Sequence, residues 1–405
     1  MALTPPPLTH GRRARKRRQR RGRLKNGRPL AGAGSGTLRP GRGFPFCTQG
    51  AISGRVTVCA EGTGMREKAK ALVLAVLIGA AGAGAFTALG VPAGALIGAS
   101  LAVALAAAAN LPVDVPARLR DVAFCVIGIS LGSGIDPDIG HRVIAWGLSL
   151  GFLVLSLIVT LACGALVLTR GFGYTRETAV LATAPGTMSN VIALALEGRG
   201  DVNAIMVLQI VRMLVLVALV PPLATLLDTA PVVPAARAAM PVAPFALLLA
   251  AAYGLGFLGQ RRGVPAACLL AGLVLSGGGH AAGLVQGAAP AWALFAGFTL
   301  TGATLGTRLT SVGLVAIVRM AKAGAALVAT TLAVSFIFAA LTSAVTGLPL
   351  AEVWIAFAPG GVEAMAAIGL SLGFDPAYVA LHHFVRILTL IVLVPLATRG
   401  GRTGA

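Results

Sequence analysis

Long apolar segments separated by short polar breaks occupy the chain from about residue 71 to residue 397. They lie at roughly 71–88, 91–109, 121–135, 143–169, 179–197, 203–227, 241–259, 264–286, 289–305, 313–341, 351–371 and 376–397. Most of them are long enough for a helix, which rises about 1.5 Å per residue, to cross about 30 Å of hydrocarbon. The pattern therefore predicts an all-α protein that crosses the lipid bilayer many times.

The same pattern repeats along the chain at an offset of 174 residues. The matched pairs are Gly128–Ser133 with Gly302–Thr307, Ala184–Gly186 with Ala358–Gly360, Asp201 with Asp375, Arg212 with Arg386, and Val220–Pro221 with Val394–Pro395. Single Gly or Pro matches are expected by chance in a Gly-rich apolar sequence. A constant register that also aligns an Asp and an Arg indicates a duplication. We therefore predict two tandem membrane repeats of about five to six segments, at 65–230 and 231–400.

Composition agrees with a membrane protein, because 57% of the residues are apolar and only 11% are charged. A soluble domain carries roughly 25% charged residues. The net charge of +20 is concentrated in residues 1–64, which include the basic run Arg12–Arg21. This segment is either a disordered tail, an arm for nucleic acid or anionic lipid, or an over-long gene start upstream of Met65. No nucleic-acid partner is expected for the membrane part.

Basic residues in the loops predict the topology, since they gather on the cytoplasmic side. In the first repeat they lie in alternate loops, at Lys68, Lys70, Arg118, Arg120, Arg170 and Arg176; in the second they lie in the other set, at Arg261, Arg262, Arg308, Arg319 and Lys322. This switch favours inverted over parallel repeats, with a cytoplasmic N-terminus in the plasma (inner) membrane. The short, Gly-rich segment 121–135 is either a crossing or a half-helix.

Each repeat has a Pro-Gly break inside one apolar segment, and we predict that the two breaks form a binding site. The site residues are Pro185, Gly186, Ser189 and Asn190 in the first break, and Pro359, Gly360, Gly361 and Glu363 in the second. Pro lacks a backbone N–H and Gly permits positive φ, so each segment is expected to divide into two half-helices. Matched interruptions in two repeats point to a site for a small solute or ion. The alternative is that each break only kinks a packed helix.

Polar side chains on the helix after each break extend this candidate site. They are Gln209 and Arg212 in the first repeat, and His383 and Arg386 in the second. A cation inside a span needs a partner, so the arginines are predicted either to pair with the substrate or to satisfy the carbonyls of the broken helix. Glu363 is either a proton-coupling carboxylate or the partner of Arg386.

The remaining polar residues are expected to have structural roles or to take no part in chemistry. Asp201 and Asp375 stand where each of these helices begins, and we predict that they are N-terminal caps. The five histidines show no metal-ligand spacing, and no Gly-Lys-Ser/Thr phosphate loop is present. We therefore expect no enzyme activity, no metal and no cofactor. Homo-oligomer formation is left open.

The duplicated unit resembles the AbrB-type integral membrane protein family over about residues 70–397. The resemblance rests on Ala184–Ala195, Asp201–Val202, Gln209–Arg212 and Val220–Pro221, and on Ala358–Met365, His382–Arg386 and Pro395. It implies a role in regulating the expression of another gene. Members are also often labelled ammonia monooxygenases, which implies a metal and oxygen site for which this sequence has no credible ligands.

The duplicated, broken-helix layout also looks like that of secondary carriers of the cation–proton antiporter and bile-acid symporter type, an analogy at the level of fold. We expect a secondary transporter of a small solute or ion. The alternative is a membrane-embedded regulator of gene expression without transport activity.

Overall fold

The computed structural model describes residues 65–135, 139–184, 191, 194–195, 200–227, 238–312 and 314–399. The predictions for residues 1–64 and for Pro185, Gly186, Ser189 and Asn190 lie outside the described residues. Within the described ranges the chain is helices and connecting loops, with one isolated β-bridge between Ala239 and Ala288. The predicted all-α class is confirmed.

The helices follow the predicted apolar segments closely. Those of the first half are α1 (Met65–Ala88), α2 (Gly94–Ala108), α3 (Ala117–Gly132), α4 (Ile139–Ala145), α5 (Gly147–Leu166) with a π-turn at Val167–Gly171, α6 (Arg176–Thr183) and α7 (Val202–Leu227). Those of the second half are α8 (Val242–Arg261), α9 (Ala267–Ala281), α10 (Ala291–Thr307) with a 3₁₀ turn at Arg308–Ser311, α11 (Leu314–Thr346), α12 (Leu350–Phe357), α13 (Val362–Ser371) and α14 (Pro376–Arg399).

Six of the described helices are long and apolar enough to span a membrane, namely α1, α5 with its π-turn, α7, α8, α11 and α14. This confirms that the chain is a membrane protein. The short segment for which a half-helix was an alternative contains α3, which runs as one uninterrupted helix of 16 residues.

Glycines bring two pairs of helices from different halves into backbone contact. A Cβ at Gly128 of α3 would lie 2.1 Å from the Leu269 carbonyl oxygen of α9, and Gly132 meets Leu273 one turn further along both helices. The helices α3 and α9 therefore run side by side in the same direction. Gly302 of α10 meets the Leu96 carbonyl of α2 in the same way. Small residues permit such close approach where lipid supplies no hydrophobic driving force.

The long helices α7 and α14, which carry the matched arginines, run in opposite directions. Just before α14 begins, Asp375 Oδ2 accepts a hydrogen bond of 2.7 Å from Arg142 Nη1, beside the start of α5. Just before α7 begins, the backbone N–H of Asp201 donates to Thr178 Oγ1 at 3.0 Å, beyond the far end of α5. The helices α7 and α14 consequently start at opposite ends of α5.

The turns between α1 and α2 and between α8 and α9 share an unusual backbone conformation. Gly90 and Gly263 have φ of 70° and 76°, and three residues later Ala93 and Ala266 have φ of 55° and 51°. Positive φ is uncommon for alanine, because its Cβ approaches the backbone in the left-handed region. The two turns also share the sequence Gly-Val-Pro-Ala, at 90–93 and at 263–266. The same local sequence is thus accompanied by the same local structure.

Candidate functional site

The second break separates α12 from α13 by four residues in non-helical conformations. Ala358 has φ −57° and ψ 133°, and Gly361 has φ −67° and ψ 142°. The N–H of Gly360 turns back to the carbonyl of Ala358 at 2.8 Å, across Pro359. Carbonyls at the end of α12 cannot find a partner further along the same helix, so they need donors from elsewhere in the protein.

Arg386, on α14, supplies those donors. Its side chain is fully buried, with Nη1 donating to the carbonyl of Ala358 and Nη2 to the carbonyl of Gly360 at 2.7 Å. The guanidinium thus lies at the negative end of the α12 dipole, where a positive charge is favourable.

Arg212, on α7, makes the equivalent contacts at the end of α6. Nη1 donates to the carbonyls of Ala182 and Thr183 at 3.2 and 2.7 Å, and Nη2 to that of Ala184 at 3.1 Å. One turn earlier, Gln209 Nε2 donates to the carbonyl of Leu181 at 2.9 Å. This geometry supports the structural alternative for both arginines, in which each satisfies the carbonyls of a broken helix.

Two adjacent histidines on α14 have different surroundings. His382 is hydrogen-bonded through Nε2 to Ser149 Oγ at 2.8 Å and through Nδ1 to the carbonyl of Tyr378 at 2.8 Å. His383 is fully buried, and neither of its ring nitrogens has a hydrogen-bond partner among the described residues. His383 therefore does not reproduce the carbonyl contact of Gln209, the residue it matches in the first half.

The two matched aspartates have the geometry of N-terminal caps. Asp201 Oδ1 accepts from the backbone N–H groups of Asn203 at 2.9 Å and Ala204 at 3.1 Å. Asp375 Oδ1 accepts in the same way from Ala377 at 2.9 Å and Tyr378 at 3.3 Å. Each carboxylate satisfies two of the free N–H groups with which an α-helix begins.

A charged cavity of about 460 Å³ lies beside the second break. Among the described residues, its charged lining consists of Arg120 and Asp121 at the start of α3, Arg308 after α10, and Glu363 at the start of α13. Gln260 and Gly263–Cys268, from α8, α9 and the turn between them, form another wall. Helices from both halves of the chain thus surround one space that contains both signs of charge.

The comparisons with known proteins cover most of the apolar part of the chain. The model of the family described as transition state regulatory protein AbrB matches residues 95–400. The chain belongs to this family. A relative from Bacillus subtilis (strain 168), the uncharacterized protein YhjN, is 27% identical over 293 residues, which cover 67% of this chain and 75% of the relative.

Of the predicted site residues in this AbrB-family protein, Glu363 lines the cavity, whereas Gln209, Arg212 and Arg386 contact helix-end carbonyls. Pro359, Gly360 and Gly361 form the non-helical backbone of the break. Sequence reasoning missed Arg120, Asp121 and Arg308 as members of the same site. The sequence signal that could have indicated them was an acidic residue, Asp121, at the start of an apolar segment. Among the described residues, no group of three or more His, Cys, Asp or Glu side chains is arranged to hold a metal ion.

Proposed function

We propose that this AbrB-family protein is a secondary transporter that moves a small solute or ion across the plasma membrane, with its N-terminus in the cytoplasm. The observation that carries the proposal is the charged cavity beside the second break. Ionisable side chains inside a membrane protein are costly, and they mark substrate or ion paths more often than lipid-facing surface. Interrupted helices beside such a space are typical of transporter sites.

We further propose that the two repeats are inverted, so that alternating access arises from one group of helices rocking against the other. The opposite directions of α7 and α14 support this, because these helices occupy matched positions in the two halves. The parallel course of α3 and α9 supports it as well. In the repeat, α9 matches α2, which a short loop joins to α3. If α2 and α3 run in opposite directions, as a short loop favours, α9 runs opposite to the helix that it matches.

Cysteine labelling tests the inversion at two matched turns. Leu89 and Arg262 are both exposed and each precedes the glycine of its turn. In a variant without native cysteines, Leu89→Cys is expected to react with an impermeant maleimide only from outside the cell. Arg262→Cys is expected to react only from the cytoplasmic side. Labelling of both positions from the same side would show parallel repeats.

Flux measurements in proteoliposomes test transport itself. We expect at least one solute from a panel of ions and small metabolites to enter in a protein-dependent way. Glu363→Gln is expected to lower that flux about 10- to 100-fold, since it removes a charged group from the cavity wall. Glu67→Gln, the same chemical change on the exposed part of α1, is the matched control. Absence of flux across the panel, with correctly folded protein, would contradict the proposal.

A second function, a membrane-embedded regulator, is favoured by the description of the matching family as a regulatory protein. In that case the effect on gene expression would survive substitutions at the second break and would require a cytoplasmic partner. Measuring expression of target genes in cells that carry wild-type protein or Glu363→Gln separates the two functions. Transport predicts that expression changes follow the loss of flux.

A further inference from the structure

We infer that Tyr378, Ser149 and His382 form a proton relay that leads from the start of α14 towards the second break. The three side chains are fully buried. Ser149 Oγ lies 2.6 Å from the Tyr378 hydroxyl and 2.8 Å from His382 Nε2, and none of the three residues lines the charged cavity. The relay itself does not depend on transport. Its use in coupling a solute to protons rests on the proposed function.

The hydrogen bonds of the neutral relay have one direction. Nδ1 of His382 lies 2.8 Å from the carbonyl oxygen of Tyr378, and because a carbonyl can only accept, Nδ1 donates. Nε2 of the neutral ring is then an acceptor, so the Ser149 hydroxyl donates to it. The oxygen of Ser149 in turn accepts from the hydroxyl of Tyr378. The chain therefore runs from tyrosine to serine to histidine.

A proton can pass along this chain because hydroxyl groups both donate and accept. A proton from water bonds to the phenolic oxygen of Tyr378, whose own hydroxyl proton passes to Ser149 Oγ. The former hydroxyl proton of Ser149 passes to Nε2 of His382. Each hydroxyl ends with one proton, as it began, and the imidazole becomes an imidazolium. The net change is the addition of one proton to the ring, with no oxidation or reduction.

The first half of the chain shows that the fold does not need these polar groups. At the offset of the repeat, the three relay positions are occupied by apolar residues, Ala204, Leu208 and Ala323. All three are buried, and Leu208 of α7 and Ala323 of α11 belong to one apolar cluster. The helix α7 packs against α11 as α14 packs against α5. Since the matched helices pack without a polar chain, the chain in the second half is explained better by function than by packing.

The relay begins beside an ion pair that is partly exposed. Asp375 stands immediately before α14, where it accepts from the N–H of Tyr378 at 3.3 Å and from Arg142 at 2.7 Å. In the proposed topology this is the outer end of α14, because Arg170 and Arg176 place the opposite end of α5 in the cytoplasm. From there the relay reaches His382, six residues into the helix and about 9 Å along its axis.

Several ionisable groups lie on the elements around the relay. The charge of Glu352 on α12 acts on the hydroxyl of Tyr378. His383 and Arg386 follow His382 on α14, and the charge of Glu363 on α13 acts on Arg386. The other ionisable groups on helices packed against α14 are Arg176 and Glu177 on α6, Arg118, Arg120, Asp121 and Cys125 on α3, and Cys163 on α5.

A proton on His382 would act on the second break. Its ring stacks on Phe357, the last residue of α12, with 6.0 Å between the ring centroids. Arg386, which donates to the carbonyls at the end of α12, lies four residues after His382 on the same helix. Two positive charges at this spacing repel each other, and more strongly in a buried site than in water. Protonation therefore weakens the contact between Arg386 and the break.

The test is nitrogen NMR of the full chain in lipid, with isotopically labelled histidine. The His382 signals are those lost in His382→Leu, which introduces the residue of the matched position. At neutral pH we expect Nδ1 to carry the hydrogen. As the pH falls from about 8 to about 4, a growing fraction of the ring is expected to gain a proton on Nε2. A neutral ring with its hydrogen on Nε2, or one that stays neutral until the protein unfolds, overturns the inference.

Tyr378→Phe distinguishes a relay from a structural network. It removes the outer hydroxyl and keeps the bond between Ser149 and His382, so exchange of the ring between its neutral and charged forms is expected to slow about 10- to 100-fold. Line broadening measures this rate. Ser149→Ala should slow it at least as much. Ser156→Ala, which removes another buried hydroxyl two turns along α5, is the control and should exchange like the wild type. Unchanged exchange in Tyr378→Phe overturns the relay.

Relay and transport fail independently. For a solute that the flux panel identifies, a gradient of about one pH unit is expected to change accumulation about tenfold in the wild type and not in His382→Leu. Flux that ignores the gradient would sustain transport and overturn the coupling. A proton that reaches His382 through Tyr378, without flux of any solute, would sustain the relay and overturn transport.

Discussion

Replacing Arg386 with alanine is expected to lower the free energy of unfolding by about 2–5 kcal/mol, because it leaves two buried carbonyls without their donors and each unsatisfied buried acceptor costs about 1–3 kcal/mol. The guanidinium is fully buried and donates to the carbonyls of Ala358 and Gly360. Without it, both carbonyls at the break lose these donors. The end of α12 also loses the positive charge that opposes its dipole.

Denaturant unfolding of the purified protein, followed by helical circular dichroism, measures this change. Arg319→Ala, on an exposed position of α11, is the matched control and is expected to change stability by less than about 0.5 kcal/mol. Arg386→Lys should fall between the two, because an ammonium group keeps the charge but lacks the planar fork that spans two carbonyls. If Arg386→Ala unfolds like the wild type and only loses flux, the arginine acts on the substrate.

Much of the fold was predictable from the sequence because its signals are local. Apolar length located the helices, and Pro359 with Gly360 located the gap between α12 and α13. Asp201 and Asp375 marked helix starts for the same reason, since a cap acts on N–H groups two or three residues away. The family resemblance was also correct, and it rests on the same local motifs.

The charged cavity was not predictable, because its walls are distant in sequence. Arg120 and Glu363 come from the starts of two helices and Arg308 from the turn after a third, and nothing in their spacing places them around one space. The role of Arg386 was undecided for a related reason. Whether a buried guanidinium meets a ligand or a carbonyl depends on which face of α14 is turned towards the break.

The two halves differ at the positions that supply the charges. The residue that matches Arg308 is Gly134, where a Cβ would lie 2.3 Å from Cγ of Pro376 and a side chain has no room. The residue that matches Glu363 is Ser189. The duplicated sequence therefore contains two Pro-Gly motifs, whereas the charged side chains at the positions of Arg308 and Glu363 occur only in the second half.

Replacing Gly128 with valine is expected to destabilise the protein by about 3 kcal/mol, at the upper end of the usual effect of overpacking. A Cβ at this position would lie 2.1 Å from the carbonyl oxygen of Leu269. Backbone cannot move aside as a flexible side chain does, so α3 and α9 would have to separate along their contact. Unfolding in denaturant measures the loss.

Gly151→Val is the matched control, because Gly151 lies in α5, is exposed, and a Cβ added there would have no atom within 4 Å. Both variants add the same β-branched side chain to a helix, so their difference isolates the helix contact. Gly128→Val is also expected to lower transport flux in proteoliposomes, since α3 carries Arg120 and Phe124 and the start of α9 forms the opposite wall of the cavity. Equal stability of the two variants would mean that α3 and α9 are not held at backbone contact. The volume of the cavity that both helices line would then be larger than about 460 Å³.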